Sequence, residues 1–147
     1  MFKIIVVLIS YLITYVAQAQ NMTDTSVQSG GGRVMARVQN IRNNVGSVHF
    51  AIYDSQENFN NRIAFDSRQA VVMDNRVEVV FENLPQKSYA IVCFHDANNN
   101  GKMDFEEGGM PLEDYGTSAP NRSFGPPSYR DAQFEVKDKG LTFDIKF

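Results

Sequence analysis

The chain has one cysteine, two histidines and no tryptophan in 147 residues. A single cysteine excludes an internal disulfide, so no covalent staple contributes to folding. Two histidines, His49 and His95, cannot build a His-rich metal site, and no G-x-S-x-G nucleophile turn occurs. Basic patches are absent as well. Lys and Arg stand singly among acidic and apolar residues, and the formal net charge is −3, which excludes the basic stripe that nucleic acid requires. The one continuous apolar run, Ile4 to Val16, is broken only by Ser10 and Thr14 and is shorter than the roughly 20 residues of a membrane-spanning helix.

That run follows Lys3 and precedes Ala17-Gln18-Ala19, a small-x-small cleavage site, so residues 1–19 read as a secretory signal peptide. A retained anchor is the alternative. No cysteine follows the run, so lipid attachment there is not indicated. Cleavage removes the only charge in the segment and leaves a slightly more acidic exported chain, periplasmic or extracellular at the cell surface. Gln20 to Gly32 is polar, ends in three glycines and has no periodicity, the composition of a flexible linker. The folded domain is expected over 33–147, long enough to bury a core without staples.

Within it, apolar residues recur at period two, and Val, Ile and Phe dominate. Val34, Ala36 and Val38 form a first strand; Val48, Phe50 and Ile52 form a second, joined to it through Asn43-Asn44. Ala70 to Met73 and Arg76 to Phe81 flank Asp74-Asn75, a two-residue hairpin turn. Tyr89 to His95 is apolar throughout, as expected of a central strand covered on both faces, and Cys93 inside it reads as a buried small hydrophobe. Gln133 to Val136 and the alternating Leu141 to Phe147 complete the set. No helix is expected. The fold class is all-β: a single antiparallel β-sandwich of about seven strands, Ig-like or transthyretin-like, with a long loop between the last strands. A closed barrel would carry the same alternation.

Between Phe94 and Gln133 lies a stretch far longer than an ordinary loop, and loops of such length are usually functional or disordered, so a site is expected there. It opens with Asp96-Ala97-Asn98-Asn99-Asn100-Gly101-Lys102-Met103-Asp104-Phe105-Glu106-Glu107, and this run fits the twelve-residue calcium loop at every fixed position. Calcium wants six to eight hard oxygens, and short Asp and Asn side chains on alternate residues of a tight turn converge on one point. Asp96, Asn98, Asn100 and Asp104 offer side-chain oxygens and Lys102 its carbonyl. Glu107, or Glu106, offers the last carboxylate. Gly108, Gly109 and Pro111 deny the loop a helical exit, so it is expected on a strand end. With two amides replacing acids, affinity belongs to the weak extracellular class, on the order of 10⁻⁴ to 10⁻³ M. An Asx-rich turn without an ion is the competing explanation.

Four stretches carry a resemblance: Asn83-Leu84-Pro85-Gln86-Lys87-Ser88-Tyr89-Ala90, Phe94 to Asp104, Gly109-Met110-Pro111-Leu112-Glu113-Asp114-Tyr115-Gly116, and Phe124-Gly125-Pro126-Pro127-Ser128-Tyr129-Arg130-Asp131-Ala132. In this order they resemble the bacterial secreted family known as domain of unknown function 2141. The family usually has Gly where Lys87 or Ser88 stands, and Phe in place of Tyr129. The resemblance implies a small exported β-sandwich with no established activity. The loop also resembles calcium-carrying strand-end loops of surface-adhesin modules, an analogy of scaffold only.

Expected from these residues is a non-catalytic, calcium-stabilised binding or structural module, with calcium as a structural cofactor. Its ligand surface would draw on His95, Glu113, Tyr115, Arg122, Phe124 and Tyr129, facing a protein, peptide or carbohydrate; no nucleic acid and no membrane span are expected, and the chain is expected to be a monomer. Those aromatics would equally serve to pin the long loop to the sandwich. A periplasmic hydrolase gathering His95, Asp96, Glu113 and His49 is one alternative. An adhesin-like unit pairing through the final strand is another.

Overall fold

The structure, a computed structural model, describes residues 31–119, 127–137 and 139–147. The expected signal peptide, the linker up to residue 30, and Arg122 and Phe124 lie outside the described residues. Eight strands form two open sheets: β1 (Gly32–Val38), β2 (Ser47–Tyr53), β3 (Asp66–Val71), β4 (Val77–Leu84), β5 (Ser88–Asp96), β6 (Tyr115–Thr117), β7 (Gln133–Glu135) and β8 (Leu141–Ile145). One sheet has the order β4-β1-β8. The other runs β3-β2-β5-β6, with β7 paired to the first residues of β5, ahead of those that pair with β6. All pairings are antiparallel except β1 with β8, which is parallel. The sandwich expected from the alternation is therefore present, and the sheets do not close into a barrel.

Alternation builds the core. Val34, Ala36 and Val38 from β1 and Phe81 from β4 face Phe50 and Ile52 of β2 and Tyr89, Ile91 and Cys93 of β5, all essentially inaccessible to solvent. Each such large side chain contributes about 1.5–3 kcal/mol through burial. β1 and β2, adjacent in sequence, lie in different sheets, and so do β3 and β4. Asp74 and Asn75 do make the two-residue turn, at φ of 52° and 59°, between the bridged Met73 and Arg76. That turn carries the chain from one sheet to the other.

Several elements depart from expectation. The third strand covers Asp66–Val71, not Ala70 to Met73; as a mostly exposed edge strand it carries no apolar alternation. Two short helices occur where none was expected, α1 (Gln56–Asn60) and α2 (Tyr129–Ala132). Ser55 and Ser128 cap them, accepting hydrogen bonds from the Asn58 and Asp131 amides. One turn of helix is too short to display a 3.6-residue period. Both helices cover one end of the outer face of the five-stranded sheet, where Ala90, Tyr129 and Ala132 are buried with Tyr53 and Phe59. β5 is thus covered on its outer face at both ends, by the helices over Ala90 and by the following loop over Asp96, and Val92 and Phe94 between them remain half-buried. β6 was hidden by its length. Its Gly116 has no room for a side chain, since a Cβ would sit 2.5 Å from Ile145 Cγ2 and 2.7 Å from the Lys146 carbonyl oxygen.

Among the described residues no helix is long and apolar enough to cross a membrane. Cys93 is fully buried, and burial pushes its thiol far above the ordinary range. The thiolate is the reactive species, so Cys93 should be inert in the native protein. Ellman's reagent at pH 8 is expected to leave it unmodified until denaturant is added; rapid labelling without denaturant would contradict this packing.

Candidate metal centre

β5 ends on Asp96, whose carboxylate is fully buried although the next residues are at the surface. A buried carboxylate must find donors. The chain supplies them by folding straight back: the Asn100 amide donates to Oδ1 at 3.0 Å and the Gly101 amide to Oδ2 at 2.8 Å. Asn99 at φ 55° and Gly101 at φ 80° allow the reversal. His49 on the neighbouring β2 adds Nε2 at 3.2 Å from Oδ2, its ring stacked on Phe94 at 5.0 Å. Burial alone would raise the Asp96 pKa, but the Gly101 and Asn100 amides and His49 outweigh it and hold the carboxyl below its ordinary range.

Two Asx turns follow: Asn98 Oδ1 accepts from the Asn100 amide at 3.1 Å, and Asn100 Oδ1 from the Lys102 amide at 3.0 Å. The two side-chain amides then donate to Asp104 Oδ2, at 2.8 Å from Asn98 and 2.7 Å from Asn100. Hydrogen bonds thus tie Asn98 and Asn100 to Asp104, and the Asn100 backbone to Asp96. Ser47, almost fully buried, links this loop to the sheet, its Oγ 3.2 Å from Asn99 Oδ1 and accepting from Gln69 Nε2 at 2.7 Å.

The exit from the loop is a hairpin. Leu112 N donates to Asp104 O, Glu106 N to Met110 O and Gly109 N to Glu106 O, with Phe105 and Pro111 bridged. Glu106 and Glu107 are consequently carried to the hairpin turn and are exposed. Glu107, the expected twelfth-position ligand, and Glu106 thus stand on a hairpin turn, in keeping with the missing helical exit. The same hairpin returns Glu113 to the loop, where Oε2 accepts from the Asp104 amide at 3.3 Å and the buried Oε1 has no hydrogen-bond partner. Burial raises the Glu113 carboxyl above its ordinary range, and repulsion from Asp96 and Asp104 adds to this against the Asp104 and Ala97 amides. Among the described residues, no three His, Cys, Asp or Glu side chains stand grouped as a ready metal cluster.

The other expected surface residues disperse. His95 is buried on the core side of β5, its Nε2 2.6 Å from the Val45 carbonyl oxygen and its ring stacked on Phe147. Tyr129 is buried too, donating its hydroxyl to the Ser88 carbonyl and pinning α2 to the sheet. Neither forms a ligand surface. Tyr115 stays half-buried, in register with Phe94 on β5, which is itself in register with His49 on β2. Because side chains alternate along a strand, His95 points inward while Asp96 and His49 point outward, so the proposed hydrolytic group is split across the sheet.

A family model described as an uncharacterized protein conserved in bacteria, domain of unknown function 2141, matches residues 36–144. The chain belongs to this family. No curated protein and no solved structure matches the chain. The family domain therefore runs from within β1 to within β8 and contains the whole stretch from Asp96 to Glu113.

Gly46, Ser47 and Gln69 support the site and were not singled out from sequence. Gly46 sits at φ 76°, and a Cβ there would fall 2.0 Å from the Asp96 carbonyl oxygen and 2.8 Å from Ala97 Cα. The positive φ alone costs a non-glycine residue about 1–3 kcal/mol. Gly46→Ala should therefore lower unfolding stability by about 2 kcal/mol or more, read from the urea midpoint; an unchanged midpoint would mean that β2 and the loop do not abut as described.

Proposed function

We propose that the chain is an exported, non-catalytic β-sandwich module, stabilised by calcium and serving as a binding or structural unit in the periplasm or at the cell surface. Export rests on the signal-peptide pattern of residues 1–19. The observation that carries the calcium proposal is the convergence of Asn98 and Asn100 on Asp104, next to the buried Asp96 carboxylate and with Glu113 on the Asp104 amide. These are oxygen donors without a thiol, the chemistry of a hard cation, and their irregular arrangement suits calcium better than octahedral magnesium. Binding would require the Asn98 and Asn100 amides, which now donate to Asp104, to offer their oxygens instead. That rearrangement is a side-chain rotation. Its cost, together with the small number of carboxylates, supports the weak extracellular affinity class.

A non-catalytic role is supported by His95, whose ring is buried and engaged with backbone. The surface on offer to a protein, peptide or carbohydrate is the open part of the outer face of the five-stranded sheet. There His49, Ala51, Tyr53, Gln69, Val92 and Phe94 line a shallow groove of ≈ 440 Å³. An assembly role has one observation in its favour: β8 ends the three-stranded sheet, with no further strand on its outer edge among the described residues. Sedimentation over a hundredfold concentration range should give a constant monomer mass if the module acts alone, whereas growth in mass would favour edge pairing.

Calcium itself is tested by thermal unfolding in calcium, in magnesium and in chelator, with Asp96→Ala alongside. At 100 times Kd an ion held only by the native state adds about 2.7 kcal/mol, a rise of about 10 °C for a domain of this size. A calcium-specific rise that Asp96→Ala abolishes is expected. Equal midpoints in calcium and chelator would reduce the loop to turn chemistry.

A further inference from the structure

We infer that Glu113 is the carboxylate that closes the calcium site, and that the ion thereby clamps the hairpin of residues 104–112 to the end of β5. The inference rests on the calcium proposal above. It does not follow from the twelve-residue spacing, which points to Glu107. Glu107 is exposed at the hairpin turn, whereas Glu113 Oε1 is buried beside the loop with no hydrogen-bond partner. A buried carboxylate oxygen left unpaired is costly, and here its nearest charged neighbours include two more carboxylates, Asp96 and Asp104. Among the described residues no basic side chain pairs with it: Arg42 pairs with Asp114 at 3.2 Å, Lys102 is exposed, and the groups that favour the ionised carboxyl are the neutral Asp104 and Ala97 amides. A divalent cation bound by the loop would satisfy Oε1 and relieve the repulsion in one step. It would also add an ionic link between two segments that the chain otherwise ties through neutral side-chain amides and backbone bonds. The clamped hairpin carries exposed Phe105, Met110 and Leu112.

The test compares the protein as purified from expressing cells with Glu113→Gln, Glu107→Gln and Asp96→Ala, by calcium titration and by thermal unfolding in chelator. Gln at 113 retains an acceptor for the Asp104 amide but removes the charge. Glu107→Gln is expected to keep the wild-type Kd within about twofold, and Glu113→Gln to weaken it tenfold or more. In chelator the Glu113→Gln midpoint should equal or exceed that of the wild type, because a repelled charge is gone; a merely structural Glu113 would lower it under both conditions. Chymotrypsin adds a readout on the unmutated protein: calcium should slow cleavage at Phe105 and Leu112 several-fold. If the wild type responds to calcium and Glu113→Gln responds equally, or if Glu107→Gln alone loses binding, the assignment of Glu113 is overturned and the calcium proposal stands. Unchanged cleavage in a calcium-responsive wild type would overturn the clamp. A wild type that ignores calcium would sink both.

Discussion

The buried carboxylate of Asp96 is the constraint on which the rest of the site depends. It ends a core strand, is inaccessible to water, and is satisfied by the Asn100 and Gly101 amides and by His49. Removing any of these would leave a charge in a poorly polarisable place, where the penalty is several times that of an exposed group. The loop therefore has little freedom. It must reverse within five residues of Asp96, which places Asn98, Asn100 and Asp104 around the same point. Gly46 permits this because the Asp96 carbonyl occupies the space where a side chain would be.

The sheet decides which neighbours of Asp96 take part. Strand alternation sends His95 into the core against Val45 and Phe147, and sends Asp96 outward toward His49. Two residues adjacent in sequence therefore have unrelated roles. The helices α1 and α2 close the far end of the same outer face through Tyr129, Phe59 and Tyr53. What stays open lies between that cap and the loop, so the groove and the candidate site share one face.

Much of the sandwich was legible in the sequence. β1, β2, β4 and β8 turn alternate residues inward, a period that the eye can find, and β5 stands out as a continuous apolar run. β3 was misplaced because an edge strand held by backbone pairing to β2 needs no apolar face. β6, α1 and α2 were missed for a different reason: elements of three to five residues are held by caps and by contacts with distant strands, and such contacts leave no local pattern. The glycine of β6 is set by Ile145 and Lys146, far along the chain.

The sequence by itself determined the donor chemistry of the loop, its turn residues and the family to which the chain belongs, since all three are properties of residue types at short spacing. Tertiary structure alone decided which distant carboxylate meets that loop. Glycines and a proline after Asp104 turn the chain into a hairpin, so Glu107 goes to solvent and Glu113 comes back. The choice between them depends on where the chain returns, and a spacing rule built on a helical exit cannot register a return through a hairpin.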